Sequence, residues 1–91
     1  MVSFRDKVFQ VAKKIPKGKI LTYKIVSQKS GCPKAWRVVG NILNKNRNPK
    51  IPCHRIIKSD GRIGGYRWGT KRKTSLLKRE GVLIKNGRVA L

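Results

Sequence analysis

Residues 22–44 read Thr22-Tyr23-Lys24-Ile25-Val26-Ser27-Gln28-Lys29-Ser30-Gly31-Cys32-Pro33-Lys34-Ala35-Trp36-Arg37-Val38-Val39-Gly40-Asn41-Ile42-Leu43-Asn44. Thr22 has the side chain of a helix N-cap, and a helix is predicted from Tyr23 to about Ser30 with Ile25 and Val26 facing inward. Gly31-Cys32-Pro33 reads as a compact turn, with proline suited to the first position of the next helix. That helix is predicted from Pro33 to about Asn44, burying Trp36, Val39 (with Gly40) and Leu43. Lys34, Arg37 and Asn41 are left on its other faces. Two short helices across a glycine-containing turn form a helix-turn-helix pattern, whose second helix carries the side chains that read a partner.

Upstream, Ser3 caps a first helix in which Phe4, Val8, Val11 and Ile15 recur at helical spacing, with Pro16-Lys17-Gly18 ending it. Lys19-Ile20-Leu21 is a short extended piece. Downstream, Lys45 to Lys50 is a polar loop. It leads into Ile51-Pro52-Cys53-His54-Arg55, where a thiol stands beside the single histidine of the chain. A thiol is nucleophilic as its thiolate, which neighbouring cations or a base favour. The bland alternative is a small buried hydrophobe next to a hydrogen-bonded histidine.

Ile56-Ile57 suits a short strand, and Ser59-Asp60-Gly61 a turn. Arg62 to Gly69 is a glycine-rich loop with interleaved arginine and aromatic side chains, fit for stacking on a base or lining a pocket. Thr70 to Arg79 is a basic helix with Leu76 and Leu77 turned inward. Val82-Leu83-Ile84 and Val89-Ala90-Leu91 flank Lys85-Asn86-Gly87-Arg88, and Asn-Gly is a strong hairpin signal. The expected architecture is mainly α with small β elements: a winged helix-turn-helix-like domain of three helices, then a C-terminal helix and a short hairpin. Residues 1–91 form one domain without a repeat or linker.

Lysine and arginine number 24 against three acidic residues, a formal net charge of +21 in 91 residues. Such self-repulsion calls for a polyanionic partner, and nucleic acid fits. The start of the chain has no apolar signal region, and no stretch is long enough to span a bilayer, so no membrane partner is expected. In a reducing compartment Cys32 and Cys53 stay free thiols. With no C-x-x-C pair and a thin ligand set, no metal site is expected.

The chain resembles the C-terminal, active-site domain of the O6-alkylguanine-DNA alkyltransferases, the methylated-DNA–protein-cysteine methyltransferases. Pro52-Cys53-His54-Arg55 is the most specific match. Leu21-Thr22-Tyr23, Pro33 to Asn41, Gly64-Gly65-Tyr66-Arg67-Trp68-Gly69 and Leu76 to Gly81 follow in order, and the likeness runs from Phe4 to about Val82. The resemblance implies irreversible, single-use transfer of an alkyl group from guanine O6, extending to thymine O4, onto Cys53. His54 deprotonates Cys53 through a water, Glu80 holds His54 in its tautomer, and Tyr23 donates a proton to the departing guanine.

Arg37 resembles the finger that replaces a base flipped out from the minor groove. Lys34, Ala35, Trp36, Asn41 and Arg55 complete the implied DNA contacts. Tyr66, Arg67, Ile56 and Ser59 fall at the alkylguanine pocket. Asn46 or Asn48 is the hinge before the cysteine turn, in a loop shorter than the familiar one.

No cofactor is implied, and the partner is double-stranded DNA containing O6-alkylguanine, bound by a monomer. The expected location is the cytoplasm, at the nucleoid, in a prokaryote, or the nucleus in a eukaryote. The domain that precedes this one in longer relatives is absent from the 91 residues. Two other classes compete: an alkyltransferase-like protein that binds lesions without chemistry, and a general basic nucleic-acid-binding module.

Overall fold

The structure, a computed structural model, describes residues 2–90. Three helices, α1 (Phe4–Lys13), α2 (Tyr23–Lys29) and α3 (Trp36–Asn44), pack against one another in all three pairings. Between α1 and α2 lies the two-residue strand β1 (Leu21–Thr22). A 3₁₀ turn (Cys53–Arg55) runs directly into β2 (Ile56–Ile57), followed by α4 (Thr70–Arg79) and the hairpin of β3 (Ile84–Lys85) with β4 (Arg88–Val89).

The caps explain where the first two helices begin. Ser3 Oγ accepts from the Asp6 amide and Thr22 Oγ1 from the Ile25 amide, each at 3.1 Å. The hairpin turns on Asn86 and Gly87 at φ 53° and 74°, the pair of left-handed residues that a type I′ turn requires. It is shorter than expected, pairing Ile84 with Val89 and Lys85 with Arg88. Leu91, which the sequence places in its second strand, lies outside the described residues.

Strand β2 divides the interior. Successive strand residues point to opposite faces, and Ile56 and Ile57 are both fully buried on different sides. Ile56 joins Val8, Ala12, Ile15, Val26, Val39, Leu43 and Cys53 in the three-helix core. Ile57 joins Ile63, Leu77 and Val89 beneath α4 and the hairpin. Parallel pairing of Leu21 with Ile56 and Thr22 with Ile57 fixes β1 to β2. The start of α2 is thereby held beside the cysteine turn.

Four expectations need correction. Helix α3 starts at Trp36, not Pro33, because residues 32–35 close as a separate turn: the Ala35 amide donates to the Cys32 carbonyl at 3.0 Å. The fully buried Ser27 hydroxyl holds that turn by donating to the Cys32 carbonyl and accepting from the Ala35 amide. Trp36 is therefore in the first turn of α3, and it stands 45% exposed rather than buried. Ile25 is likewise exposed, leaving Val26 as the inward residue of α2. On α4, Leu77 is buried and Leu76 half-buried, while the second fully buried position is Lys73.

Ser27→Ala is expected to cost about 1–3 kcal/mol, since it removes the buried hydroxyl that makes both hydrogen bonds to the 32–35 turn. Urea denaturation of the two proteins measures the loss.

Candidate active site and nucleic-acid interface

The cysteine turn is built from its own backbone. The Cys53 amide donates to the Ile51 carbonyl at 2.8 Å and the Arg55 amide to the Pro52 carbonyl at 3.0 Å. Proline at 52 fixes φ at −79° and needs no donor there. Cys53 sits 6% exposed at the margin of the three-helix core. Asn46, itself buried, donates from Nδ2 to Cys53 Sγ at 3.0 Å. Its Oδ1 accepts from the Asn48 amide at 3.0 Å, so one side chain folds the loop and reaches the thiol. Asn48 instead accepts from the Lys50 amide and does not touch the sulfur. Of the two hinge candidates, Asn46 is the one in contact with Cys53.

Burial raises the Cys53 thiol above its usual range, partly offset by the Asn46 hydrogen bond, the turn's backbone and the positive charge of Lys73. At rest the group is a thiol.

Beside it, Glu80 at the end of α4 gathers two neighbours of the cysteine. Arg55 meets it with two parallel bonds, Nε to Oε1 and Nη2 to Oε2, both 2.8 Å, and His54 Nε2 lies 2.9 Å from Oε2. The Arg55 hydrogen bond chiefly, and then His54, hold the Glu80 carboxyl down at about 2. Because Glu80 is ionised, His54 Nε2 is the N–H donor, and Nδ1 is the nitrogen able to accept a proton. The third Arg55 nitrogen donates to the Ile15 carbonyl at 2.7 Å, tying the turn to the end of α1. This corrects the expectation that Arg55 contacts DNA: its guanidinium is engaged inside the protein.

Tyr23, the first residue of α2, donates from its hydroxyl to the Gly65 carbonyl at 3.3 Å. Gly64 makes room for it, since at φ 78° a Cβ there would lie 3.2 Å from the phenol oxygen. Burial, then the charge of Cys53, pushes the phenol's pKa up. Sequence reasoning missed Lys73, whose Nζ is 3.4 Å from the Tyr23 hydroxyl and 3.2 Å from the Gly65 carbonyl. Burial lowers its pKa to about 8, Cys53 opposing and Lys58 adding to that shift. The available signal was position: Lys73 precedes Leu77 by four residues and Glu80 by seven, on the inward stripe of α4.

Tyr66 is half-buried and packs edge-on to His54 at 6.5 Å and to Trp68 at 5.3 Å. Arg67 is exposed and donates to the Asn44 carbonyl at 3.3 Å, closing the end of α3. Ser59 is exposed on a groove of about 810 Å³ that also takes in Tyr23, Lys34, Trp36, Lys58 and Arg62. Ile56 does not line a pocket with its side chain, because the alternation of β2 turns it into the core, where it is fully buried. Lys34, Trp36, Arg37 and Asn41 are exposed together along the start of α3, with Ala35 half-buried at its N-cap. The site thus unites Cys53, His54, Glu80, Tyr23 and Asn46, and a basic groove opens beside it.

Residues 3–82 match the family described as 6-O-methylguanine DNA methyltransferase, DNA binding domain. Among similar proteins, the methylated-DNA–protein-cysteine methyltransferase of Kluyveromyces lactis is 44% identical over 78 residues, 85% of this chain and 41% of that one. The bifunctional transcriptional activator/DNA repair enzyme Ada of Escherichia coli is 40% identical over 79 residues, 86% of this chain and 22% of Ada. The chain therefore spans less than half the length of these relatives.

Solved structures share the fold. Schizosaccharomyces pombe Atl1, in complex with damaged DNA containing O6-carboxymethylguanine, superposes with a TM-score of 0.85 at 31% identity, covering 100% of this chain and 90% of Atl1. Mycobacterium tuberculosis OGT in complex with DNA gives 0.82 at 33% identity, covering 88% of this chain and 50% of that one. A mainly helical domain with this motif set and these relatives belongs to the DNA-binding domain family of the 6-O-methylguanine DNA methyltransferases.

Proposed function

We propose that the chain repairs DNA by taking the alkyl group of O6-alkylguanine onto Cys53, once per molecule. The observation that carries this reading is the convergence on one turn of a thiol held by Asn46, a histidine held by Glu80 and a tyrosine beside them. A water relays the thiol proton to His54 Nδ1, and Glu80 stabilises the resulting imidazolium. Sulfur attacks the alkyl carbon as the C–O6 bond breaks. The electron pair passes into the guanine ring, where Tyr23 supplies the proton. A thioether remains on Cys53, and a thioether is a poor leaving group, so the protein is consumed.

Two features support the DNA side of the reading. Arg37 is exposed on α3, next in sequence to the groove residue Trp36, and suits filling the gap left by an extruded base. Lys24, Lys34, Lys58 and Arg62 line that groove and suit phosphates. A second reading, lesion binding without transfer, is favoured by the likeness to Atl1 over nearly its whole length. The two part at Cys53, which has a base beside it.

Incubating the protein with a duplex holding one O6-methylguanine should add one methyl group to Cys53, read by intact-protein mass spectrometry and peptide mapping. Cys53→Ala should abolish the gain while retaining duplex affinity. Lesion-selective binding without any gain would establish the second reading instead.

Arg37→Ala should weaken binding to a duplex with a destabilised pair more than binding to an ordinary duplex, by about 1–3 kcal/mol as lost stacking predicts. Fluorescence anisotropy on both duplexes measures the difference, and equal losses would reduce Arg37 to a phosphate contact.

Glu80 also sets an acid limit. Its carboxyl ionises at about 2 in the folded protein against an ordinary 4.5, so its stabilisation is complete above about 4.5 and disappears as pH falls toward about 2. Glu80→Gln should flatten that stretch of the stability–pH profile and slow transfer about 100-fold or more through the disoriented His54. Urea midpoints across pH and single-turnover rates check both.

A further inference from the structure

Among the described residues, Lys73 is the one fully buried cation, and no carboxylate pairs with it. Glu80 is engaged by Arg55 and His54, Asp60 by Arg62, and Asp6 is exposed in the first turn of α1. Its neighbours of changeable charge are Tyr23 from α2, Cys53 from the 3₁₀ turn and Lys58 beyond β2. A buried ammonium without a counter-ion is costly, and an apolar side chain of the same length would stabilise the fold more. The groups it does meet are the Tyr23 hydroxyl and the Gly65 carbonyl, the same carbonyl to which Tyr23 donates.

We propose that Lys73 is a positioning residue that makes Tyr23 an obligate hydrogen-bond donor toward the base in the site. This rests on the reading of Tyr23 as the proton donor to the departing guanine. An ammonium has three N–H donors and no acceptor, whereas a hydroxyl both donates and accepts. With Lys73 Nζ on its oxygen, Tyr23 must direct its own proton elsewhere. In the free protein that proton points at the Gly65 carbonyl, 3.3 Å away.

Gly65 also accepts from Lys73 at 3.2 Å, so Tyr23 can turn its proton to an acceptor on the base without leaving that carbonyl unpaired. As that proton moves onto the guanine, negative charge grows on the phenol oxygen beside the ammonium and is stabilised there. A base presenting an N–H at this point meets no acceptor and is refused.

The test compares single-turnover transfer from an O6-methylguanine duplex by the wild type, Lys73→Met, Lys73→Arg, Tyr23→Phe and the double variant Tyr23→Phe/Lys73→Met. Lys73→Met should melt at or above the wild-type temperature yet transfer about 100-fold more slowly, with Lys73→Arg recovering part of the loss. In the Tyr23→Phe background the same change should matter less than about threefold, since the two residues act as one unit. The wild-type transfer rate should fall as pH rises through about 8, where Lys73 loses its charge, and Lys73→Met should lack that fall.

Equal losses in both backgrounds, or the same fall with pH in Lys73→Met, would overturn the proposal while leaving an active wild type as a transferase. An inert wild type would instead overturn the reading of function beneath it.

Discussion

The Glu80 carboxylate is the interaction on which the site depends. Its two oxygens take Arg55 in parallel and His54 besides, and Arg55 reaches on to the Ile15 carbonyl. One side chain at the end of α4 therefore fixes the cysteine turn against the end of α1 and orients the histidine within it. The chain has only three acidic residues against 24 basic ones, so a carboxylate in this position has no substitute nearby. Bidentate guanidinium–carboxylate geometry is strong when shielded from water. Here the Glu80 side chain is 11% exposed and Arg55 16%.

The clamp works because β2 separates two cores while belonging to both. Ile56 anchors the strand in the three-helix core and Ile57 anchors it under α4, so the preceding turn cannot shift without disturbing one or the other. Pairing with β1 brings Tyr23 into the same neighbourhood at the cost of only two residues of sheet. The charge outside follows a complementary rule. Of the 24 lysines and arginines, Lys73 is buried and Arg55 half-buried, and the others are exposed. A surface of that sign repels itself in isolation and is relieved on a polyanion.

Much of this was legible in the sequence where the controlling physics is local. Ser3 and Thr22 announce helix starts, Asn86-Gly87 the hairpin, and Pro52-Cys53-His54-Arg55 a thiol beside the histidine, while only the family resemblance joins Glu80 to them. What escaped depends on distant neighbours. Helical spacing gave Trp36 a place on the stripe of Val39 and Leu43, but whether a first turn is covered depends on what packs over it. The sequence places Arg55 on DNA and does not single out Lys73, since long charged side chains usually stand in solvent. Each is held inward by partners remote in sequence, Arg55 by Glu80 and Ile15, Lys73 by Tyr23 and Gly65. Asn46 and Asn48 were indistinguishable by residue type, and only the path of the loop brings one of them to the sulfur.

The raised pKa of Cys53 is consistent with its proposed chemistry once the reaction is seen as a single use. A permanently ionised thiolate would meet every soluble electrophile, and a protein consumed by one event gains nothing from standing reactivity. Burial keeps the group a thiol, while Asn46, the turn and Lys73 already lean toward the charged form without overcoming it. The remaining step requires a water between Cys53 and His54 and an alkyl carbon placed in line with the sulfur. A bound, extruded base is what supplies that alignment, so activation of the nucleophile and presence of the substrate become one condition. Arg55 belongs to this logic although it touches neither reactant. By holding Glu80 ionised far below neutral pH, it keeps Nε2 of His54 protonated and Nδ1 ready to take the proton when the condition is met.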